Sequence, residues 1–130
     1  MIKINTIIEV VGFPREHVDE TLDSVLDKLK LEDGIIVLNK KITKAKKIGE
    51  MWSAFVELEI ETKDLQKLSY FCFNYMPSSI EIIDKGRLDL SVNDVSNVFN
   101  DLLSKIHQYN VILKNMQAEN VIMKKRLSSQ

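Results

Sequence analysis

Residues 51–61, MWSAFVELEIE, decide the fold. Apolar and polar side chains alternate along this stretch, and consecutive side chains of an extended chain point to opposite faces. The pattern predicts a β-strand with one buried face and one face largely open to water, as is common in antiparallel sheets. The residues expected on the buried face are Trp52, Ala54, Val56, Leu58 and Ile60.

The segments on either side of this strand predict more strands and two amphipathic helices. Strands are indicated by short runs rich in Ile and Val, and helices by apolar side chains that recur every three or four residues. In chain order we expect strands over 2–12, 35–42, 51–61 and 79–84 and helices over 15–31 and 63–76, the second helix being capped by Thr62.

The order of these elements is strand, helix, strand, strand, helix, strand. This is the order of the split βαβ or ferredoxin-like plait, in which right-handed crossovers place both helices on the same face of an antiparallel sheet. We therefore predict an α+β protein in which residues 1–86 form a ferredoxin-like domain. The opposite sheet face stays uncovered unless something packs there.

The remaining residues, 87–130, predict a long helix that serves for oligomerisation. Ser91 followed by Asp94 resembles a capping box. With Val92 at position a, apolar residues occupy heptad positions a and d for about five heptads. A helix of roughly 54 Å must overhang a globule about 30 Å across, so its apolar stripe needs a partner. The expected oligomer interface is Val92, Val95, Phe99, Leu102, Ile106, Tyr109, Leu113, Met116, Asn120, Met123 and Leu127.

Three arrangements of this helix are open at this point. It pairs with another copy, it returns across its own sheet, or its first half packs on the domain and its second half on a partner. Val98 and Leu103 widen the apolar stripe and favour the return. Asn120 at an a position, with Glu119 at g and Lys124 at e, favours a parallel homodimer. Antiparallel pairing and a four-helix assembly stay as alternatives.

The amino-acid composition limits the classes of protein to which this chain could belong. The 130 residues are 45% hydrophobic and 28% charged, which is ordinary for one globular protein. The net charge of −1 disfavours nucleic acid as a partner. The apolar runs are far shorter than the roughly 20 residues of a membrane-spanning helix, and Glu9 interrupts any signal-peptide core. We therefore expect a cytoplasmic protein without a membrane partner.

A lysine cluster is the first candidate binding site, in the expected hairpin between the second and third strands. Its lysines would suit phosphate, but the cluster has no arginine and no aromatic stacking partner is expected nearby. The favoured explanation of the cluster is that its lysines keep an exposed sheet edge from pairing with other chains. The open face of the third strand is a poor RNA surface, because its three glutamates repel phosphate. The possible phosphate-binding residues are Lys40, Lys41, Lys44, Lys46 and Lys47.

No catalytic or metal-binding pattern stands out. His17 and His107 lie on different predicted helices, and Cys72 lies on the apolar face of the second helix. The sequence has no Ser–His–Asp order, no P-loop and no GxGxxG or HExxH motif, and the cysteine spacings of zinc sites are missing. We therefore expect no enzyme activity, no metal and no cofactor. The plait also invites comparison with ACT-type small-molecule-sensing domains, for which Gly12 after the first strand is the one matching detail.

Three further stretches carry a resemblance: GFPREHVDETL (12–22), YMPSSIEIID (75–84) and DLLSKIHQYN (101–110). With them the chain resembles small uncharacterised archaeal proteins that have a ferredoxin-like head and a helical tail. The resemblance covers most of the chain and implies that fold, and it brings no activity with it. We expect a non-catalytic, oligomeric interaction or scaffold protein; the alternatives are a phosphate or nucleic-acid-binding module and an ACT-like sensor.

Overall fold

The computed structural model describes residues 1–83 and 86–129. The predicted last strand, residues 79–84, ends at Ile82, and Asp84 lies outside the described residues. In chain order the elements are β1 (Ile2–Gly12), α1 (Arg15–Lys30), β2 (Ile35–Ile48), β3 (Met51–Thr62), α2 (Leu65–Tyr75), β4 (Ser79–Ile82) and α3 (Val92–Ser128).

The four strands form one antiparallel sheet in the order β2-β3-β1-β4. This order confirms the predicted ferredoxin-like plait followed by a long helix. The two central strands pair over almost their whole length, from Ile2 opposite Thr62 to Gly12 opposite Trp52. β4 is short and pairs only with the middle of β1. β2 therefore forms one edge of the sheet along its full length.

The core lies between the sheet and the two helices α1 and α2. The central strands contribute Ile4, Val56 and Ile60, and the helices contribute Leu22 and Phe71, all almost completely buried. Each such side chain stabilises the fold by about 1.5–3 kcal/mol. The alternation predicted for residues 51–61 is confirmed, since its apolar face points into this core and its glutamates point to the open face.

Two details of α2 differ from the prediction. Its N-cap is Asp64, whose Oδ1 accepts a hydrogen bond of 2.8 Å from the Lys67 N–H. Thr62, the predicted cap, is instead buried at the end of β3, where its Oγ1 lies 3.4 Å from the Ile2 carbonyl oxygen. The helix stops one residue earlier than predicted, because Met76 adopts a left-handed backbone conformation with φ of 46°.

β2 is longer than predicted and continues to Ile48. The turn to β3 consists of Gly49 and Glu50 alone, and Gly49 has a φ of 62°, which glycine adopts without strain. The lysine cluster therefore lies within the strand and not in a hairpin loop, which corrects the prediction. Lysine has a low β-propensity, so the local pattern ended at Ile42, whereas pairing with β3 extends the strand.

α3 begins as predicted, because the Ser91 Oγ accepts a hydrogen bond of 3.0 Å from the Asp94 N–H. Its 37 residues extend for roughly 55 Å. It lies against α2, so the return across the open sheet face does not occur in this structure. None of its residues is buried. Within residues 1–83 and 86–129, no helix has both the length and the apolar character needed to cross a bilayer.

Candidate functional site

The candidate site is the face of α3 that carries the heptad a and d positions, which we call the seam. Its members are the eleven residues from Val92 to Leu127 predicted as the oligomer interface. Every one of its apolar side chains is exposed, from 36% for Leu102 to 86% for Val92. The structure therefore keeps these residues on one continuous face of a helix. That face is partly covered at Val95 and Leu102, which are 37% and 36% exposed, and is more open toward the C-terminus.

A different side of α3 contacts α2. Asn97, Val98 and Lys105 are half-buried there and occupy heptad positions f and g. Asp101 and Ser104, with side chains of α2, line a groove of about 300 Å³ between the two helices. The contact with the domain therefore combines polar side chains with Val98 and with the aromatic rings of Tyr70 and Phe73, and it leaves most of the seam exposed.

The contact with α2 also explains part of the broad apolar stripe seen in the sequence. Val98 is half-buried near α2, whereas Leu103 is 51% exposed. Val111, Val121 and Ile122, which lie outside the seam, are exposed as well. The second half of α3 thus presents apolar side chains on more than one face, without contact to its own domain.

The lysine cluster forms a second surface, which we call the β2 lysine strip (Lys40, Lys41, Lys44, Lys46 and Lys47). All five side chains are exposed, and within the described residues none of them forms an ion pair. Lys30, on α1, approaches Lys40. A side-chain hydrogen bond between the two amino groups, followed by the repulsion between their charges, lowers the pKa of the Lys40 ammonium group. The strip is therefore a region of concentrated positive charge.

Aromatic residues lie at one end of this strip, contrary to the expectation from the sequence. Phe13, in the turn between β1 and α1, shares a cavity of about 510 Å³ with Trp52, Met51, Lys47 and Glu50. The connection was missed because Phe13 is remote from the lysines along the chain. The predicted plait could have revealed that Phe13 lies near Trp52, because it pairs the end of β1 with the start of β3.

The open face of the sheet is polar and mixed in charge. Glu57 and Glu59 line a shallow cavity of about 380 Å³ together with Asn5, Asn39 and other polar residues. Lys3 lies 3.8 Å from the Glu59 carboxylate and partly balances it. This agrees with the prediction of a sheet face that is largely open to water.

A polar cluster ties the end of α1 to α2. The Glu32 carboxylate accepts hydrogen bonds of 3.1 Å from the Lys67 ammonium group and 2.9 Å from the Tyr75 hydroxyl. These bonds lower the pKa of Glu32. Burial, followed by the hydrogen bond to Glu32, raises the pKa of Tyr75. All the groups are mutually satisfied, so the cluster acts in packing the helices together.

The remaining candidates from the sequence are separate from one another. His17 and His107 are both exposed, on α1 and α3. Among the residues that the structure describes, no three His, Cys, Asp or Glu side chains form a group that could hold a metal ion. Cys72 is half-buried against the core, and burial raises the pKa of its thiol. Gly12, the detail shared with ACT-type domains, packs against Val18. A Cβ added at Gly12 would lie 3.5 Å from a Val18 methyl carbon, which is an ordinary van der Waals contact.

The fold and its exposed helix define a class: an α+β plait that carries a long helical extension. The chain belongs to the MJ0538 family, whose model matches residues 3–127. The match takes in both the plait and almost all of α3, so the helix is part of what the family shares. No curated protein and no solved structure matches the chain.

Proposed function

We propose that this protein is a non-catalytic, cytoplasmic interaction or scaffold protein that forms a parallel homodimer by pairing its seams as a coiled coil. The observation that carries the proposal is that α3 has no residue buried against its own domain and leaves every apolar side chain of the seam at least 36% exposed. A continuous apolar stripe of this length is typical of a protein–protein interface, because water disfavours it.

A second copy of the chain is the partner that the seam suits best. A buried Asn at one a position pairs with its twin in a parallel dimer and sets the register. Asn120 occupies such a position in the second half of the seam. In the same register Glu119 of one copy faces Lys124 of the other, which adds a few tenths of a kcal/mol per pair. These features support a parallel, self-complementary arrangement.

In this proposal the chain has two units, the plait of residues 1–86 and the oligomerisation helix of residues 87–130. Support comes from the core, to which α3 contributes no buried residue. Leu88, which packs against the core, precedes the helix. The dimer would then hold two plaits beside each other and present their free surfaces in duplicate, as a scaffold does.

Light scattering coupled to size exclusion tests the assembly. The full-length chain is expected to have twice its sequence mass. The double variant Ile106→Glu/Leu113→Glu places charges on the seam and is expected to be a folded monomer. The matched control, Gln108→Glu/Asn115→Glu, adds the same charge to the same helix at c positions that point away from the seam, and should remain dimeric.

Two outcomes would contradict the proposal. One is a monomeric full-length chain at concentrations of tens of micromolar, roughly the range of a weak dimer. The other is a loss of assembly that is equal in the seam variant and in the control, because then added charge alone would be responsible. A chain that ends at Leu90 lacks only α3 and should be a monomer with the circular dichroism of a folded plait.

A further inference from the structure

The β2 lysine strip lies on an edge strand that carries charge of one sign only. Residues 35–48 contain five lysines and no acidic residue, and β2 has a single neighbour, β3. Its outer edge is therefore free for a ligand. From Lys40 to Lys47 the strand extends for about 23 Å.

The lysines are distributed over both faces of this edge. Lys41 lies opposite Glu57, on the open face of the sheet, and Lys47 lies opposite Trp52, on the face that carries the helices. Lys30 adds a further positive charge beside Lys40, in a groove of about 570 Å³ along β2, and Asp23 and Asp27 of α1 offset part of the charge at this end of the strip. A ligand that follows the edge would meet cations on either side of its path.

The cavity lined by Phe13 and Trp52, which we call the aromatic cavity, lies at the end of the strand and continues this path. Phe13 is 67% exposed, and the Arg15 guanidinium lies 5.4 Å from the centre of the Trp52 ring. Lys47 and Glu50 both line the cavity, so its rim carries one charge of each sign. The cavity therefore suits a flat, uncharged ring and not a phosphate group.

We propose that the β2 lysine strip and the aromatic cavity together bind single-stranded nucleic acid. Lysines of the strip contact successive phosphates, and one unpaired base stacks against Phe13 at the cavity. This combination of a basic track with an exposed aromatic ring is how many proteins bind single strands without reading their sequence. The activity is independent of the seam, although a dimer would present two such strips and increase the apparent affinity.

The geometry favours a flexible strand over the other polyanions. A membrane surface is flat and would reach lysines on only one face of the strand, whereas these lysines lie on both. Glu50 at the tip of the hairpin would also be driven toward the lipid. A duplex keeps its bases stacked and paired, so it could not offer a base to the cavity.

Fluorescence anisotropy with a labelled oligouridylate of about 20 nucleotides tests this proposal on the full-length protein. If four phosphates are contacted, raising the salt from about 50 to about 200 mM should weaken binding roughly fifty-fold. Lys46→Glu/Lys47→Glu should weaken it at least about ten-fold and flatten the salt dependence. Phe13→Ala should weaken it about five-fold or more with little change in that dependence.

The matched control is Lys63→Glu/Lys114→Glu, which makes the same change in charge at two exposed lysines outside the strip. It should bind nearly as the unaltered protein does. Equal losses in the two double variants, or no effect of Phe13→Ala, would overturn the proposal, since binding would then follow net charge alone. Binding to phosphatidylserine vesicles without binding to the oligonucleotide would overturn it in favour of a membrane surface. Binding to neither the oligonucleotide nor the vesicles would also overturn it, and the lysines would then serve only to keep the sheet edge from pairing with other strands.

Discussion

Truncation of Leu113 to alanine is expected to weaken the dimer while leaving each chain folded. Leu113 lies at an a position and is 56% exposed in the single chain, so about half of its burial remains to be gained on pairing. Complete Leu→Ala truncation in a core costs about 2–5 kcal/mol. Half of that is roughly 1–2.5 kcal/mol for each copy, or about 2–5 kcal/mol for the two copies in a dimer.

At about 1.4 kcal/mol for each factor of ten, this loss raises the dissociation constant of the dimer roughly 30- to 4,000-fold. Sedimentation equilibrium over a range of protein concentrations measures it directly. Alanine is at least as good a helix former as leucine, so the helicity of the single chain should be unchanged.

The control for this experiment is Val111→Ala. Val111 is 57% exposed, almost the same as Leu113, but it lies at an f position, away from the a and d positions of the seam. Its truncation should change the association free energy by less than about 0.5 kcal/mol. If the two variants dissociate equally, or if Leu113→Ala leaves the dissociation constant unchanged, the assignment of the seam is refuted.

Two further predictions concern single polar groups. Asn120→Leu should give a more stable but less uniquely assembled oligomer, because it removes the polar pair that fixes register; an unchanged melting temperature and mass distribution would contradict this. Glu32→Gln should flatten the acid limb of the stability curve. The pKa of Glu32 is lowered by folding, so its contribution is present above the carboxyl pKa of the unfolded chain and is lost as the pH falls through the lower folded value. Urea denaturation at a series of pH values measures this, and parallel acid limbs for the two proteins would count against it.

The plait was predictable because its signals are local. The alternation in residues 51–61 and the helical spacing in α1 follow from the fixed periods of strands and helices. The sequence shows directly which side chains avoid water, so these periods can be recognised without the structure. The same holds for the cap at Ser91 and for the regular heptads of α3. By contrast, Thr62 resembled a helix cap, and only its position in the β1–β3 register shows that it belongs to the sheet.

The candidate surfaces were predictable only in part. Regular spacing placed the seam on one face of a helix, but it could not say which side of α3 would meet the domain. The lysines were evident as a cluster, yet their place in a strand depends on pairing with β3. Phe13 was not linked to them at all, because its approach to Lys47 joins segments that are distant along the chain.

The sequence alone therefore determined the periodic features of this protein: which residues alternate in strands, which share a helical face, and that α3 is too long for its domain. Tertiary structure alone decided which of these faces are covered. It placed the side of α3 that carries Asn97, Val98 and Lys105 against α2 and brought Phe13 to the end of the β2 lysine strip. The physical reason is that periodicity arises from neighbours along the chain, whereas coverage depends on the order and register in which the whole sheet assembles.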